Sequence, residues 1–300
     1  MNAKQAPEVE TGRGALLLAF ALAAFAANSL LCRAALGSGL ADPAGFTFVR
    51  MASGALTLAL LALPRWRSLR PCADLRMAAC LFLYMAGFSF AYVDLDAGTG
   101  ALLLFGAVQL TMFAAALAAG ERLPGLGWAG LVLACAGLVV LLLPGATAPT
   151  PLGTVLMIGA GVAWGAYSLL GRGAGDPLSV TAVNFVIGVP PALVLLWVSS
   201  ESLGMTTGGF ALAGASGALA SALGYAAWYA VLPSLTAGRA ATVQLAVPVI
   251  AALGGVALLG EALTPRLALS SLATLGGIAM VLAVRHQPPG AARRRRRFGL

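Results

Sequence analysis

Two stretches of equal length decide the fold: AGTGALLLFGAVQLTMFAAALAAGE at residues 97–121 and AGRAATVQLAVPVIAALGGVALLGE at residues 237–261. Each begins with Ala-Gly and ends with Gly-Glu, and their starts lie 140 residues apart (237 − 97). An apolar run of about 20 residues crosses the roughly 30 Å hydrocarbon layer of a membrane as an α-helix. The two stretches therefore predict membrane-spanning helices at equivalent places in two related halves of the chain.

Other short matches recur at nearly the same offset. Ser29–Arg33 reads SLLCR and Ser168–Arg172 reads SLLGR, an offset of 139 (168 − 29), while Gly137 and Gly277 differ by 140. Five spans is an odd number, so a second copy of a five-helix unit must enter the membrane from the opposite face. The sequence thus predicts an inverted repeat, which in secondary transporters places the substrate site near the midplane between the halves.

The whole chain has the composition of an integral membrane protein. Of its 300 residues, 60% are hydrophobic and only 9% are charged, whereas soluble domains carry roughly 25% charged residues. We predict an all-α integral membrane fold of ten transmembrane helices, arranged as two inverted five-helix repeats. The predicted spans, TM1 to TM10, cover residues 14–36, 44–63, 74–92, 97–118, 124–143, 152–172, 178–199, 209–231, 237–259 and 265–285.

The same pattern divides the chain into four parts. They are a cytoplasmic N-terminal tail (1–13), a first five-helix repeat (14–144), a second inverted repeat (150–285) and a basic cytoplasmic tail (286–300). The face that holds the N-terminus carries 15 of the 18 Lys and Arg residues, and cytoplasmic loops are enriched in these residues. We therefore expect a multi-pass protein of the cell (inner) membrane with both termini cytoplasmic. For the run Arg293–Arg297, attraction to anionic lipid is a simpler explanation than nucleic-acid binding, and a role in anchoring the topology is the favoured one.

These features resemble a known family. Two five-helix units, each with a helix that ends in Gly-Glu followed by Leu and a Gly-containing helix, look like the drug/metabolite transporter superfamily, specifically its ten-helix EamA-type branch. Pro248 stands in the middle of TM9, as the family pattern has it, whereas Val108 occupies the matching place in TM4. The resemblance covers about residues 14–285 and implies export of amino acids or other metabolites. Within the family the chain looks most like the aromatic amino-acid exporters.

Polar and aromatic side chains inside the spans are the candidates for substrate binding, because lipid-facing positions rarely hold them. Aromatic walls suit large apolar or aromatic solutes, and the amides of Gln and Asn suit the amino and carboxylate groups of a zwitterion. The alternative for each residue is ordinary packing or an interhelical hydrogen bond. The predicted substrate-binding residues are Asn28, Tyr84, Phe88, Gln109, Trp164, Tyr167, Ser168, Tyr225 and Gln244.

Proline inside two spans predicts hinges. Pro190, followed by Pro191, is expected to break TM7, and Pro248 is expected to bend TM9, because proline lacks the N–H that a helix interior needs. Either position is a gating hinge or a plain kink of the kind that membrane helices tolerate.

Ionisable groups are nearly absent from the spans. No Asp or Glu lies deep in a predicted span and the one histidine, His286, lies in the tail, although proton-coupled carriers usually place such a group there. We therefore expect uncoupled, facilitated transport. Arg50 is the one charge that lies away from the ends of a predicted span. It either pairs with Asp94 or Asp96, the favoured interpretation, or contacts a carboxylate of the substrate.

Several other functions compete with this one. The closest alternative is a drug or nucleotide-sugar transporter of the same superfamily, although nucleotide phosphates need basic residues in the cavity. A membrane-embedded lipid-modifying enzyme is a distant alternative, since its chemistry needs clustered His, Asp or Cys. We expect no catalytic residues, no metal and no cofactor. The expected partners are a small-molecule substrate and membrane lipid, with no nucleic acid, and the protein is expected to be a monomer or a dimer.

Overall fold

The computed structural model describes residues 11–64, 74–120, 122–145, 148–171, 175–199, 204–235 and 237–285. Its helices are Thr11–Leu36 (TM1), Pro43–Ala62 (TM2), Leu75–Ala91 (TM3), Ala97–Ala118 (TM4), Gly125–Leu142 (TM5), Pro151–Leu170 (TM6), Pro177–Ser199 (TM7), Thr207–Ala215, Ser216–Leu223 and Gly224–Val231 (TM8), Ala237–Gln244 and Ala246–Leu259 (TM9), and Pro265–Arg285 (TM10). Across these ranges, nine helices are long and apolar enough to cross a membrane, and TM3, with 17 residues, is shorter. The predicted all-α fold of ten membrane helices is confirmed.

Local sequence signals determine where the helices begin and end. Asp42 accepts a hydrogen bond from the Gly45 N–H at 2.7 Å at the start of TM2, an N-cap that satisfies one of the unpaired amides of the first turn. Gly120 and Gly260, whose φ angles are +86° and +69°, follow the last turns of TM4 and TM9. Glycine adopts this left-handed conformation without steric cost, so it ends a helix readily. The Gly-Glu motif therefore ends a helix in both halves of the chain.

Helix packing pairs each half with the other. TM2 packs on TM7, TM4 on TM9 and TM5 on TM10, so each of these helices contacts its equivalent in the other half. TM3 packs on TM6, and the equivalent pair, TM8 and TM1, is also in contact. This pattern is unchanged when the halves are exchanged, which is what an internal two-fold relation produces. The repeat boundaries at 144 and 150 stay predictions, and the basic tail 286–300 lies outside the described residues, as does most of the tail 1–13.

TM5 and TM10 form a close contact of their own. The ideal Cβ positions of Gly130 and Gly277 face each other's carbonyl oxygens, and that of Gly277 lies 2.5 Å from the backbone nitrogen of Ala134. Small residues allow this approach, which is how membrane helices gain van der Waals contact without a hydrophobic driving force. A small apolar cluster that includes Phe113 and Ile278 packs beside this crossing. The site described below is formed by the other eight helices.

TM9 and TM8 depart from regular α-helical geometry, and TM7, which was expected to, does not. TM9 is interrupted at Leu245, because Pro248 has no N–H for the carbonyl of Gln244 and its ring crowds that turn. The expectation that Pro190 breaks TM7 was wrong: the helix Pro177–Ser199 runs through both prolines. Adjacent prolines leave only two carbonyls without their helical donors, which a membrane helix tolerates. TM8 contains a π-helical segment, Ser216–Leu223.

Candidate functional site

A cavity of about 350 Å³ lies between the two halves and reaches one face of the protein. We call this the N-terminal face, because TM1 begins there, and the other the opposite face. The cavity extends to Met77 at the start of TM3, to Gly171 and Pro177 in the TM6–TM7 connection, and to Leu232 at the end of TM8. These residues belong to the face that the distribution of Lys and Arg predicts to be cytoplasmic. A volume of this size suits a small solute.

Close packing of TM6 on TM4 directs aromatic side chains into the cavity. A Cβ on Gly161 would lie 2.6 Å from the Cβ of Ala107, and one on Gly165 would lie 2.9 Å from the Cβ of Thr111. The two glycines are four residues apart and therefore share one face of TM6. With that face against TM4, Trp164 lies beside the contact and forms part of the cavity wall.

Polar groups in the cavity wall are of two kinds. The side-chain amides of Gln109 and Gln244 line the cavity and make no hydrogen bond within the described part of the chain, so each presents donors and an acceptor to a solute. Thr181 instead is fully engaged. Its hydroxyl donates to the Pro177 carbonyl at 2.7 Å and is 3.2 Å from the hydroxyl oxygens of both Tyr167 and Tyr229. This network holds TM6, TM7 and TM8 together at the cavity wall.

A layer of aromatic rings closes the inner end of the cavity. Phe25, Trp164 and Tyr225 line both the main cavity and a small void of about 10 Å³ behind it. The ring centroids of Phe25 and Tyr225 are 5.6 Å apart and those of Phe25 and Trp164 are 6.4 Å apart. Behind this layer Tyr84 stacks on Trp164, with centroids 5.3 Å apart and planes inclined by 20°. The small void and the main cavity thus share a wall that consists of the side chains of Phe25, Trp164 and Tyr225.

Arg50 lies behind the small void, and the ion pair expected for it does not form. Its side chain is completely buried, whereas Asp96 pairs with Arg33 and Asp94 accepts a hydrogen bond from the Thr150 hydroxyl. Asp94 and Asp96 lie in the connection that precedes TM4, while Arg50 is seven residues beyond the start of TM2, roughly 10 Å deeper along that helix. That depth puts the carboxylates out of reach.

The guanidinium of Arg50 is compensated by aromatic rings and hydroxyls. Its Cζ lies 4.8 Å from the ring centroid of Phe88 and 5.4 Å from that of Tyr84. Its Nη2 donates to the Tyr84 hydroxyl at 3.0 Å and its Nε to Ser221 Oγ at 3.4 Å. Each cation–π contact stabilises the charge by up to about 2 kcal/mol when it is desolvated. Placing an arginine at the centre of a membrane helix costs about 2.5–3.5 kcal/mol. Two such contacts offset most of that cost.

The structure brings the predicted site residues around these two adjoining spaces. Around the main cavity lie Gln109, Trp164, Tyr167, Ser168, Tyr225 and Gln244, and around the small void lie Asn28, Tyr84 and Phe88 together with Trp164 and Tyr225. Sequence reasoning did not predict Thr181 or Phe105 as site residues. Phe105 lies within an apolar run and Thr181 near the start of a span, and neither pattern distinguishes a cavity wall from packing.

The opposite face is closed by an ionic cluster centred on Arg33. Arg33 Nη2 is 3.4 Å from Asp96 Oδ1, its Nε is 3.4 Å from Glu261 Oε1, and its Nη1 donates to the Val93 carbonyl at 2.9 Å. Both carboxylate oxygens of Glu261 accept from the Ala97 N–H, at 2.9 and 3.0 Å. These contacts join TM1, TM4 and the TM9–TM10 connection. We call this group of residues the outer cluster.

Burial raises the pKa of Glu261, which lies in the TM9–TM10 connection. The neighbouring carboxylate of Asp96 raises it further, while the Ala97 N–H and the guanidinium of Arg33 lower it. The raised value means that withdrawal from water outweighs these partners. The carboxyl of Glu261 therefore binds a proton more tightly in the closed arrangement than it would in water.

Comparison with known proteins identifies the family. The model of the EamA-like transporter family matches residues 151–283. The uncharacterized protein PA1977 of Pseudomonas aeruginosa is 56% identical over 250 residues, which cover 83% of this chain and 87% of that protein. The uncharacterized transporter YwfM of Bacillus subtilis is 28% identical over 189 residues, which cover 61% of this chain and 64% of that protein.

The fold agrees with a solved structure as well. A crystal structure of another protein superposes with a TM-score of 0.65 at 19% identity, and the match covers 92% of this chain and 99% of that one. At this identity the likeness is one of fold alone. The helical membrane fold, the family model and the similarity over most of the chain agree, and the chain is a multi-pass membrane protein that belongs to the EamA-like transporter family.

Proposed function

We propose that this transporter carries amino acids or similar small metabolites, with aromatic or large apolar side chains, by alternating access. The observation that carries the proposal is the asymmetry of the two faces. A cavity of about 350 Å³ reaches the N-terminal face, while the outer cluster joins three elements at the opposite face. A carrier that exposes its site to one side at a time must have such a state, and opening of the outer cluster would generate the other.

The chemistry of the cavity favours an amphipathic solute. Aromatic walls bind large apolar or aromatic groups by stacking, and Trp164, Tyr225 and Trp228 supply those walls. The unengaged amides of Gln109 and Gln244 offer both donors and acceptors, which suits the opposite charges of a zwitterion. A purely apolar solute would leave both amides without partners, at a cost comparable to a lost hydrogen bond each.

Transport is proposed to be uncoupled. Over the ranges that the structure describes, none of the ten spans contains Asp or Glu, the groups on which proton-driven carriers usually rely. The acidic groups of the outer cluster lie at the ends of spans, where we propose that they hold the opposite face closed. The concentration gradient of the solute then sets the direction, and metabolite export is the direction we propose.

The proposal includes the setting of the protein. We place it in the inner membrane with both termini in the cytoplasm, because the sequence assigns 15 of the 18 Lys and Arg residues to the tails, predicted loops and span ends on the side of the N-terminus. The cavity in this structure then reaches the cytoplasm. Partners are the solute and membrane lipid, with no nucleic acid and no cofactor, and the site is formed within one chain, whether as a monomer or within a dimer.

Uptake by proteoliposomes tests this function. Purified protein is reconstituted and presented with a panel of labelled amino acids, amines and nucleosides, with and without a pH gradient. We expect equilibration of aromatic or large apolar amino acids that stops at equal concentrations inside and outside. Accumulation driven by the pH gradient would contradict the uncoupled mechanism, and uptake confined to nucleosides or amines would contradict the substrate class.

A further inference from the structure

Arg50 is a buried cation without a counter-ion among the residues that the structure describes. In the described ranges the ion pairs are Arg33 with Asp96, Arg33 with Glu261 and Arg76 with Asp74, so none involves Arg50. The Nη1 of Arg50 is buried and has no hydrogen-bond partner. A guanidinium does not lose its proton in a protein, so the charge persists and its environment favours an anion.

The guanidinium lies next to the route that a solute would take. Tyr84 accepts a hydrogen bond from Arg50 and stacks on Trp164, which lines the main cavity. Phe88, whose face contacts Arg50, lines the small void with Tyr84. One layer of rings thus separates the cation from the main cavity. Rotation of those rings is a side-chain movement on a far shorter timescale than a helix rearrangement.

A second donor, Asn28, lines the small void beside Tyr84 and Phe88, the two aromatic partners of Arg50. The Oδ1 of Asn28 accepts hydrogen bonds from Ser216 and Ser221, at 2.8 and 3.3 Å. Its amide NH₂ makes no hydrogen bond within the described part of the chain, and Asn28 lines the small void. Ser221 also accepts from Arg50 Nε, so the two donors belong to one connected group. A cation and an amide NH₂ without acceptors form a donor set that matches a carboxylate.

The backbone holds Arg50 in place. A Cβ on Gly217, in the π-helical segment of TM8, would collide with the carbonyl oxygen of Arg50 and with Ser53 Oγ. TM8 therefore packs directly on the turn of TM2 that carries the arginine. π-helical segments are frequent at functional sites, and here the segment presents Ser216, Ser221 and Gly217 to the guanidinium and its partners.

We propose that Arg50 binds a carboxylate of the transported solute, with Asn28 as a second donor, when the aromatic layer opens between the main cavity and the small void. The inference deepens the proposed function, on which it rests, and restricts the substrate class to solutes with a free carboxylate. The apolar part of the solute then lies among Phe25, Trp164 and Tyr225 and its anionic end beyond them. The competing role for Arg50 is purely structural, as a link between TM2, TM3 and TM8.

Binding of matched acids and amides by the purified protein separates these roles. Benzoate and 3-phenylpropionate are titrated against benzamide and 3-phenylpropanamide, which have nearly the same shape without the charge. Ligand-induced thermal stabilisation gives the affinity of each. We expect the acids to bind about tenfold or more tightly, the size of effect expected for a charge-assisted hydrogen bond. Equal affinities for acid and amide in the unmodified protein would overturn the proposal without the need for any variant.

Variants assign the preference to this residue. Arg50→Gln is expected to abolish the preference for acids, and Arg50→Lys to keep part of it, because the charge remains but the two-pronged geometry is lost. Arg266→Gln is the matched control, since Arg266 is an arginine at the opposite face that donates to the carbonyls of Leu143 and Pro144. A preference that survives in Arg50→Gln, or that disappears equally in Arg266→Gln, would overturn the assignment.

The assay also distinguishes this inference from the proposed function. It measures equilibrium binding, so an acid preference that depends on Arg50 is detected even if no amino acid in the uptake panel is transported. If amino acids are transported but acids and amides bind alike, the proposed function stands and the role of Arg50 in binding falls.

Discussion

Replacement of Arg33 by Gln should release the opposite face. The substitution removes the pair with the largely buried Glu261, at 3.4 Å, and the charge-assisted bond to the Val93 carbonyl at 2.9 Å. We assign about 1 kcal/mol to each and nothing to the pair with Asp96, whose side chain is 52% exposed. The closed form then loses about 2 kcal/mol, which shifts the ratio of closed to open molecules roughly thirtyfold.

A native cysteine reports on this opening. Cys32 is completely buried one residue before Arg33, so a membrane-impermeant maleimide applied from the opposite face reaches it only in open molecules. In a background with the other three cysteines replaced by Ser, the labelling rate should follow the open population and rise up to about thirtyfold in Arg33→Gln.

The control is another arginine of the same face. Arg266 joins TM10 to the end of TM5 through the Leu143 and Pro144 carbonyls and lies outside the outer cluster. Arg266→Gln should label at the unmodified rate. If Arg33→Gln also labels Cys32 at that rate, the outer cluster does not hold the face closed, and the reasoning is wrong.

Three further predictions concern the cavity, the packing and the pH dependence. Trp164→Ala should lower the initial rate of amino-acid uptake about tenfold, through lost stacking against the solute, whereas the lipid-side Trp197→Ala, at a residue that is 82% exposed, should leave it unchanged. Gly277→Ala should reduce the free energy of unfolding by about 1–3 kcal/mol, because the added methyl group meets backbone atoms that cannot rotate away. Gly276→Ala is the control and should leave the free energy of unfolding unchanged, since nothing lies within 4 Å of its Cβ position. Chemical unfolding of the two variants in one detergent compares them. Since burial raises the pKa of Glu261, closure should strengthen as the pH falls from neutral through that raised pKa and weaken as the pH rises through it. The maleimide labelling rate should therefore fall more steeply at low pH in the unmodified protein than in Glu261→Gln, because the loss of thiolate slows labelling equally in both. The same pH profile in both proteins would refute this explanation.

Much of the fold was predictable because a membrane imposes few requirements on a chain. Each span needs about 20 apolar residues, and that requirement located TM4, expected at 97–118 and observed at Ala97–Ala118. Pro248 was expected to bend TM9, and the structure interrupts that helix at Leu245, since the proline removes a specific hydrogen bond. The same reasoning was wrong for Pro190, because the loss of one or two helical bonds is tolerated where the neighbours maintain the helix.

The candidate site was predictable by residue type and only partly by position. Aromatic and amide side chains inside spans were recognised because lipid disfavours them, and Trp164 and Gln109 do line the main cavity. The division into a main cavity and a small void was not predictable, since it depends on how Trp164 stacks on Tyr84 across two helices. The π-helical segment of TM8 also carries no sequence signal, because its register is set by contact with TM2.

The sequence by itself determined that the chain is a ten-helix membrane protein with two related halves, because hydrophobic length and repeated motifs are local properties of the chain. Only the tertiary structure decided which charges meet. Arg50 was expected beside Asp94 or Asp96, but Arg33 pairs with Asp96 and Arg50 is left with aromatic rings and hydroxyls. Charge pairing depends on depth and on helix neighbours, which only the packed bundle specifies, and that packing leaves a buried cation beside the cavity.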